Sequence, residues 1–328
     1  MKIFLFNKGF ISFFFKDFSV EMLFWFLKNR NNYTVINVHG LWNFGSILPF
    51  FIKNSAIKII TVHGFLDNYV LNNSKYLKQI FWVLFQKKCF VRATLIHAIS
   101  KSEYDFLVKM FPEYRNKIVL IPNGLYSPDP FTEIDFNFKS QIDTFIDKKS
   151  FVFLFLSRIN KKKGLDILVP AFNQLLNNYS NVKLIIAGPK GDFSDELSDT
   201  ITNNSQILLL PSCIEWSKDY LFRQSDVFVL PSYSEGFSIA ALEAISYGKP
   251  SIFSHNIGFT DDLLKYNAAL ISENTVLSLF EKMNEVYVNS NLRKTLTLNS
   301  KELFNDKFKM DKIGTLFLDQ IYRLLYEK

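Results

Sequence analysis

The chain has 328 residues, enough for two domains of ordinary size, and its 48% hydrophobic and 21% charged residues strike the balance of a soluble globular protein. A formal charge of +7 admits phosphate ligands, anionic membranes and nucleic acid alike, but no basic–aromatic RNA signature and no zinc-ligand spacing occurs, which argues against nucleic acid. The two cysteines, Cys89 and Cys213, fall in different predicted domains and form no disulfide framework, in keeping with a reducing cytoplasm. No apolar run reaches the length of a membrane span.

The first residues, Met1 to Lys8, are too short an apolar run for a signal peptide. Apolar, β-branched runs predict strands at 3–6, 34–38, 57–62, 94–99 and 118–121, then at 151–156, 182–187, 207–210, 227–230, 251–253 and 269–271. Helix-length periodic segments lie between most of them, the first over 17–29. This alternation predicts parallel sheets built from βαβ units. Ligands of such sheets bind beyond the carboxyl ends of the strands. Polar, glycine-marked residues gather there: His39-Gly40, His63-Gly64, Ser100, Asn123-Gly124, Ser157-Arg158, Gly188-Pro189 and Ser232. The segment from Ser74 to Phe90 reads as a capped amphipathic helix. Leu77, Ile80, Phe81 and Leu84 form its core stripe, Lys75 and Lys78 lie off that stripe, and Lys87, Lys88 and Arg92 crowd its end. Contact with a membrane surface is the second reading of that helix. Residues 125–150 are irregular and carry Pro128 and Pro130. The domain boundary is expected after Asn123-Gly124, and with the irregular segment counted in the first, the expected domains are 1–145 and 146–328, the final helix packing back on the first.

The most informative stretch begins with the apolar run Val227-Phe-Val-Leu230 and continues Pro231-Ser-Tyr-Ser-Glu235-Gly236-Phe237-Ser238, followed by a small-residue helix that contains Glu243. Strand, loop and helix start together present free backbone N–H groups and a positive dipole end to an anion. Either glutamate alone reads as a solvated surface residue. Glu243, however, is flanked by Ala240, Ala241, Leu242, Ala244 and Ile245, which leaves it little wet face, and a carboxylate in such a place needs partners. Ribose hydroxyls would supply them. A nucleotide sugar, with a charged middle and hydroxyl-rich ends, suits the pair.

Ser157-Arg158-Ile-Asn-Lys161-Lys162-Lys163-Gly164 is a basic loop between a strand and a helix start. Lys161 and Lys162 read as solvated. Arg158, directly after the strand, and Lys163, directly before the glycine, are placed to neutralise a diphosphate leaving group. His39 and His63 both occur as Val-His-Gly after an apolar strand, in a chain with 4 histidines. His63 is the candidate at the reacting centre, and His39 has a supporting or structural role. Around Leu95-Ile-His97-Ala-Ile-Ser100-Lys-Ser-Glu103, the polar Ser100 and Glu103 are expected to face the ligand, whereas Asn123-Gly124 reads first as a turn. No D-x-D metal motif, G-x-G-x-x-G or Walker A sequence occurs.

These elements resemble family-4 retaining glycosyltransferases of the GT-B fold, α/β proteins with two facing Rossmann-like domains. Glu235 and Glu243 match the family's E-x7-E signature, Ser157 to Gly164 its G-R-L-x-x-x-K-G element, and the two Val-His-Gly segments its His-Gly positions. The resemblance implies that Glu235 approaches the donor sugar, Glu243 binds ribose, and Arg158 and Lys163 clamp the phosphates. It further implies that the backbone of Gly236, Phe237 and Ser238 faces the diphosphate and that His63 touches the donor sugar. The match is weak at the N-terminus, where a single glycine, Gly9, follows the first predicted strand and the first sheet is expected to be shortened. The expected activity is a metal-independent, retaining hexosyl transfer from a nucleotide-diphospho-sugar to a glycan or lipid-linked acceptor of cell-surface polysaccharide, such as lipopolysaccharide. It would take place in the cytoplasm or at the inner membrane face, with no cofactor. The rival readings are a truncated, non-catalytic binding subunit and a GT-B sugar-nucleotide epimerase.

Overall fold

The computed structural model describes residues 2–7, 9, 17–64, 75–129 and 135–326. The chain divides into two compact units, one of residues 1–122 and 316–328 and the other of residues 123–315. The division falls after Pro122, beside the boundary expected after Asn123-Gly124 and ahead of 145/146, because the helix Phe136–Phe145 clusters with the second unit. The last helix, Met310–Tyr326, begins in the second unit, and its residues from Leu316 onward cluster with the first.

The first unit holds a four-stranded parallel sheet in the order β1-β2-β3-β4: Val35–His39, Ile57–Thr61, Leu95–Ala98 and Ile118–Leu120. Successive side chains alternate between its two faces. Ile60, Val62 and Ile96 enter a core with Leu41, Ile47, Phe50, Cys89, Phe90 and Phe111. Ile57, Ile59 and Leu95 point the other way, against Phe317, Ile321, Leu324 and Leu325 of the last helix. Residues 3–6 do not form the expected strand. Their aromatic side chains have found a different surface: Phe4 and Phe6 pack on Trp25, at ring distances of 4.9 and 5.7 Å, and the Asn7 N–H reaches Glu21 Oε2 at 3.3 Å. The helix expected from residue 17 starts later, at Val20–Asn29, where the Ser19 hydroxyl caps it by accepting the Met22 N–H.

The expected core stripe of the helix after residue 74 is also corrected. Ser74 and the side chains of Lys75 and Leu77 lie outside the described residues. Of the remaining stripe residues, Ile80 and Leu84 are exposed, and Tyr76 and Val83 are exposed with them. Phe81 does pack on the core as expected, and Trp82, Phe85, Cys89 and Phe90 join it in place of Ile80 and Leu84. A π-helical turn at Trp82–Gln86 joins Lys75–Phe81 to Lys87–Arg92, and its extra residue rotates the apolar face.

The second unit holds a six-stranded parallel sheet in the order β10-β9-β8-β5-β6-β7. Its strands are Phe151–Leu156 (β5), Val182–Ala187 (β6), Ile207–Leu210 (β7), Val227–Leu230 (β8), Ser251–Ser254 (β9) and Leu270–Ser272 (β10). β6, β8 and β9 are almost wholly buried, as expected of a parallel sheet covered on both faces, and their sequences accordingly read as apolar runs. The chain starts in the middle at β5, runs outward to β7, and returns to β8 on the other side of β5, in register Phe153↔Val227 and Leu154↔Phe228. The order therefore reverses between β5 and β8. Their carboxyl ends flank the crevice where nucleotide ligands of such sheets bind.

Candidate active site

Two loops leave the sheet at this switch point, one after β5 and one after β8, and close backbone contact locks them together. Gly164 has φ +74°, and a Cβ there would lie 2.1 Å from the Pro231 carbonyl oxygen, so only glycine lets the loops approach this closely. The Tyr233 N–H donates to the Lys162 carbonyl at 2.9 Å, and the Tyr233 hydroxyl donates to Asp166 at 3.0 Å. Asn274 holds the far side of the β8 loop, donating to the Pro231 and Ser232 carbonyls at 2.9 and 3.3 Å.

This lock brings the two motifs into direct contact. Lys163 Nζ lies 2.6 Å from Glu235 Oε1, and the Ser232 hydroxyl donates to the same oxygen at 2.9 Å. The Glu235 side chain is only 9% exposed, so its charge depends on these two donors. Arg158 is exposed and makes no ion pair among the described residues. Lys161, read as solvated, is exposed, and its backbone N–H rests on Asp192.

After Glu235 the chain passes Gly236, Phe237 and Ser238 into the helix Ile239–Ser246. The N–H groups of Gly236, Phe237 and Ser238 have no hydrogen-bond partner among the described residues. Phe237 buries its ring against Phe259 and Phe308, at 5.1 and 5.9 Å, and so offers only its backbone. Ser238 adopts φ +70° and ψ 94°, an uncommon conformation for a residue with a side chain, and its hydroxyl accepts the Ala241 N–H at 3.4 Å. Strain of this kind concentrates at ligand-binding loops. One helical face further on, Glu243 pairs with Lys218 of the helix Glu215–Gln224. With 17% exposure, Glu243 does need a partner, and the protein supplies a lysine. Lys218 escaped the sequence reading because a lysine on an amphipathic helix carries no signal that distinguishes it from a solvated one.

In the first unit, His39 and His63 meet. His39 Nδ1 lies 2.7 Å from His63 Nε2, with the rings stacked at 5.0 Å. Burial, then the positive charges of His39 and His97, push His63 down to about 4. Burial also lowers His39. His63 has φ +55°, and the residues after Gly64, from Phe65 to Ser74, lie outside the described residues. His97 is a structural hydrogen bonder, with Nε2 2.7 Å from the Ile121 carbonyl and Nδ1 3.1 Å from the Thr61 hydroxyl.

Ser100 and Glu103, expected to face the ligand, are instead used internally. Ser100 caps the helix Lys101–Met110. Glu103 is buried and accepts the N–H groups of Gly64 at 2.6 Å and Ile99 at 2.8 Å, tying the ends of β2 and β3 together. Burial raises its carboxyl above the usual range, opposed by those two hydrogen bonds. Asn123-Gly124, read first as a turn, is irregular backbone without one, and a Cβ at Gly124 would stand 2.8 Å from Ile313 Cγ1. Among the described residues no group of three or more His, Cys, Asp or Glu is arranged to hold a metal ion, and no helix is long and apolar enough to cross a membrane.

The two parallel-sheet, Rossmann-like units define the GT-B class of glycosyltransferase folds. Residues 137–303 match the model of glycosyl transferases group 1, and residues 6–126 match that of glycosyltransferase family 4. The chain belongs to the glycosyl transferases group 1 family. It is 27% identical to an uncharacterized glycosyltransferase of Methanocaldococcus jannaschii over 70% of this chain, and spans 60% of that relative's length. It is 28% identical to the UDP-Gal:alpha-D-GlcNAc-diphosphoundecaprenol alpha-1,3-galactosyltransferase of Escherichia coli, over 80% of this chain and 68% of the relative. The fold matches that of the Anabaena protein HepE in complex with UDP and glucose, with a TM-score of 0.74 and 16% identity over 95% of this chain and 83% of that one.

Proposed function

We propose that the chain is a retaining glycosyltransferase that moves a hexose from a nucleoside-diphospho-sugar to a glycan or lipid-linked acceptor of cell-surface polysaccharide. The observation that carries this reading is the contact of Lys163 with Glu235 at the β5/β8 switch point, beside the unpartnered N–H groups of Gly236, Phe237 and Ser238. A lysine ammonium has three donors, so Lys163 can hold Glu235 and still meet a phosphate oxygen. Arg158, Lys163 and the backbone N–H groups stabilise charge as it develops on the leaving diphosphate. Glu235 acts next to the sugar, and Glu243, oriented by Lys218, binds ribose hydroxyls. Protein cations and a helix terminus do the work a metal ion would do, so chelation by EDTA leaves transfer almost unchanged. The lipid-linked acceptor is supported by the E. coli relative, whose name specifies a diphosphoundecaprenol-linked substrate. The exposed Tyr76, Ile80, Val83 and Leu84, flanked by exposed Lys87 and Lys88, favour peripheral contact of this helix with an anionic membrane.

The test is a thermal-shift panel of UDP-, GDP-, ADP- and CMP-sugars, followed by transfer assays with the stabilising donor. A ligand at 100 times its dissociation constant adds about 2.7 kcal/mol. Glu243→Gln should weaken both the donor and the bare nucleotide. A protein that no member of the panel stabilises lacks the proposed donor site. One that binds a donor without transferring or hydrolysing it is a binding subunit, and one that converts the donor sugar without acceptor is an epimerase.

A further inference from the structure

The contact between His39 and His63 settles which atoms of the pair are available to a ligand. Two ring nitrogens 2.7 Å apart share one proton when both rings are neutral, so one donates and the other accepts. Both rings are neutral at pH 7.5, since burial lowers His39 and His63 alike. The other titratable groups here agree. His97, on β3, is itself lowered by burial and disfavours positive charge on the pair, while the Glu103 carboxylate is committed to the N–H groups of Gly64 and Ile99. Two arrangements remain. If His39 donated from Nδ1, both rings would stand in the Nδ1–H form, the less stable tautomer of a neutral histidine. If His63 donates from Nε2, both stand in the more stable Nε2–H form. The second arrangement leaves His63 Nδ1 bare, and that atom has no partner among the described residues.

We propose that His39 is the positioning residue for His63: its Nδ1 accepts the Nε2–H of His63 and holds that ring with Nδ1 free as an acceptor for a sugar hydroxyl. The tautomer of a functional histidine is commonly set in this way by the bond its other nitrogen makes. The ligand half of the inference rests on the proposed function, whereas the tautomer does not.

The experiment is a long-range ¹H–¹⁵N correlation spectrum of the histidine rings at pH 7.5, on the full chain without ligand. With 4 histidines the signals are assigned by single substitution. His63 should show a protonated Nε2 and a bare Nδ1. In His39→Leu that pattern should collapse toward the averaged tautomers of a free imidazole. In His39→Asn it should persist, because the Asn side-chain oxygen stands where Nδ1 stood. His97, fixed by the Ile121 carbonyl, reports in the same spectra that the unit is folded. With a donor from the panel, His39→Leu should lower kcat/KM about tenfold, the equivalent of one hydrogen bond, and leave affinity for the bare nucleotide intact. A wild-type His63 protonated on Nδ1, or an unchanged pattern in His39→Leu, overturns the inference. A protein that shows the expected spectra and transfers no sugar refutes the proposed function and leaves the role of His39 standing.

Discussion

Replacing Gly164 by alanine tests whether the lock between the two switch-point loops builds the site. The backbone at Gly164 is left-handed, with φ +74°, and a side chain there costs about 1–2 kcal/mol from handedness alone. The added Cβ would also stand 2.1 Å from the Pro231 carbonyl oxygen and 2.9 Å from its carbon. Both are backbone atoms and cannot rotate away as a side chain would. The Pro231 carbonyl is held by Asn274 as well, so the loop after β8 cannot yield without losing that bond. Strain and clash together should cost about 3–5 kcal/mol, in the range reserved for a named structural fault. Any relaxation separates the loops, and Lys163, next in the chain, moves away from Glu235. The assay is urea unfolding followed by tryptophan fluorescence, with a parallel titration of UDP or GDP. A Gly164→Ala protein that loses less than about 1 kcal/mol and binds nucleotide like wild type would refute the argument, since it would show that the close approach is not required.

The opposite sign is expected at Gly314, in the interior of the last helix, where an added Cβ meets nothing within 4 Å. Gly314→Ala should stabilise by about 0.5–1 kcal/mol in the same unfolding assay. Lys163→Ala should lower kcat by a factor equivalent to about 2–4 kcal/mol of transition-state stabilisation, whereas Lys161→Ala should be nearly silent; equal effects in a transfer assay would show the clamp to be misassigned. His63 sits at about 4 in the folded chain against an ordinary 6.5, so between those values the unfolded state binds more protons and stability falls as pH falls. The limit for one group is about 1.4 kcal/mol per pH unit, and a half-buried, solvent-screened ring contributes a fraction of that. Unfolding midpoints measured from pH 7 to pH 4 should therefore drop more steeply for wild type than for His63→Gln.

The strands of the second unit could be read from sequence almost to the residue, because parallel strands buried on both faces appear as unbroken apolar runs such as Phe151–Leu156 and Val227–Leu230. The carboxyl ends of those strands were equally plain, since glycine, serine and charge cluster where the runs stop. What failed did so for identifiable reasons. Within residues 3–6, Phe4 and Phe6 pack on Trp25 while Ile3 and Leu5 stay exposed, a tertiary choice that no local pattern announces. The stripe through Ile80 and Leu84 assumed an unbroken 3.6-residue period, which the π turn at Trp82–Gln86 interrupts. Glu103, expected to face the ligand, is instead buried on two backbone N–H groups. The contact of Lys218 with Glu243 joins helices on either side of β8, and such pairings across the fold leave no trace in spacing.

The two ion pairs also change how charge is divided in the candidate site. Each signature glutamate already has its own lysine, Glu235 with Lys163 and Glu243 with Lys218. Before any ligand arrives, each pair is close to neutral, which is how carboxylates with 9% and 17% exposure are tolerated. On the proposed function, a diphosphate arriving here would therefore meet little net positive charge from Lys163. Arg158, exposed and without an ion pair among the described residues, and the N–H groups of Gly236, Phe237 and Ser238 at a helix start are uncommitted. On the proposed function, capture of the anion would then fall mainly to Arg158 and the helix terminus, acting in the ground state, and Lys163 would contribute most when charge grows on the leaving oxygen and outweighs the pull of Glu235. The two cations would differ in when they act because Glu235 already holds one of them.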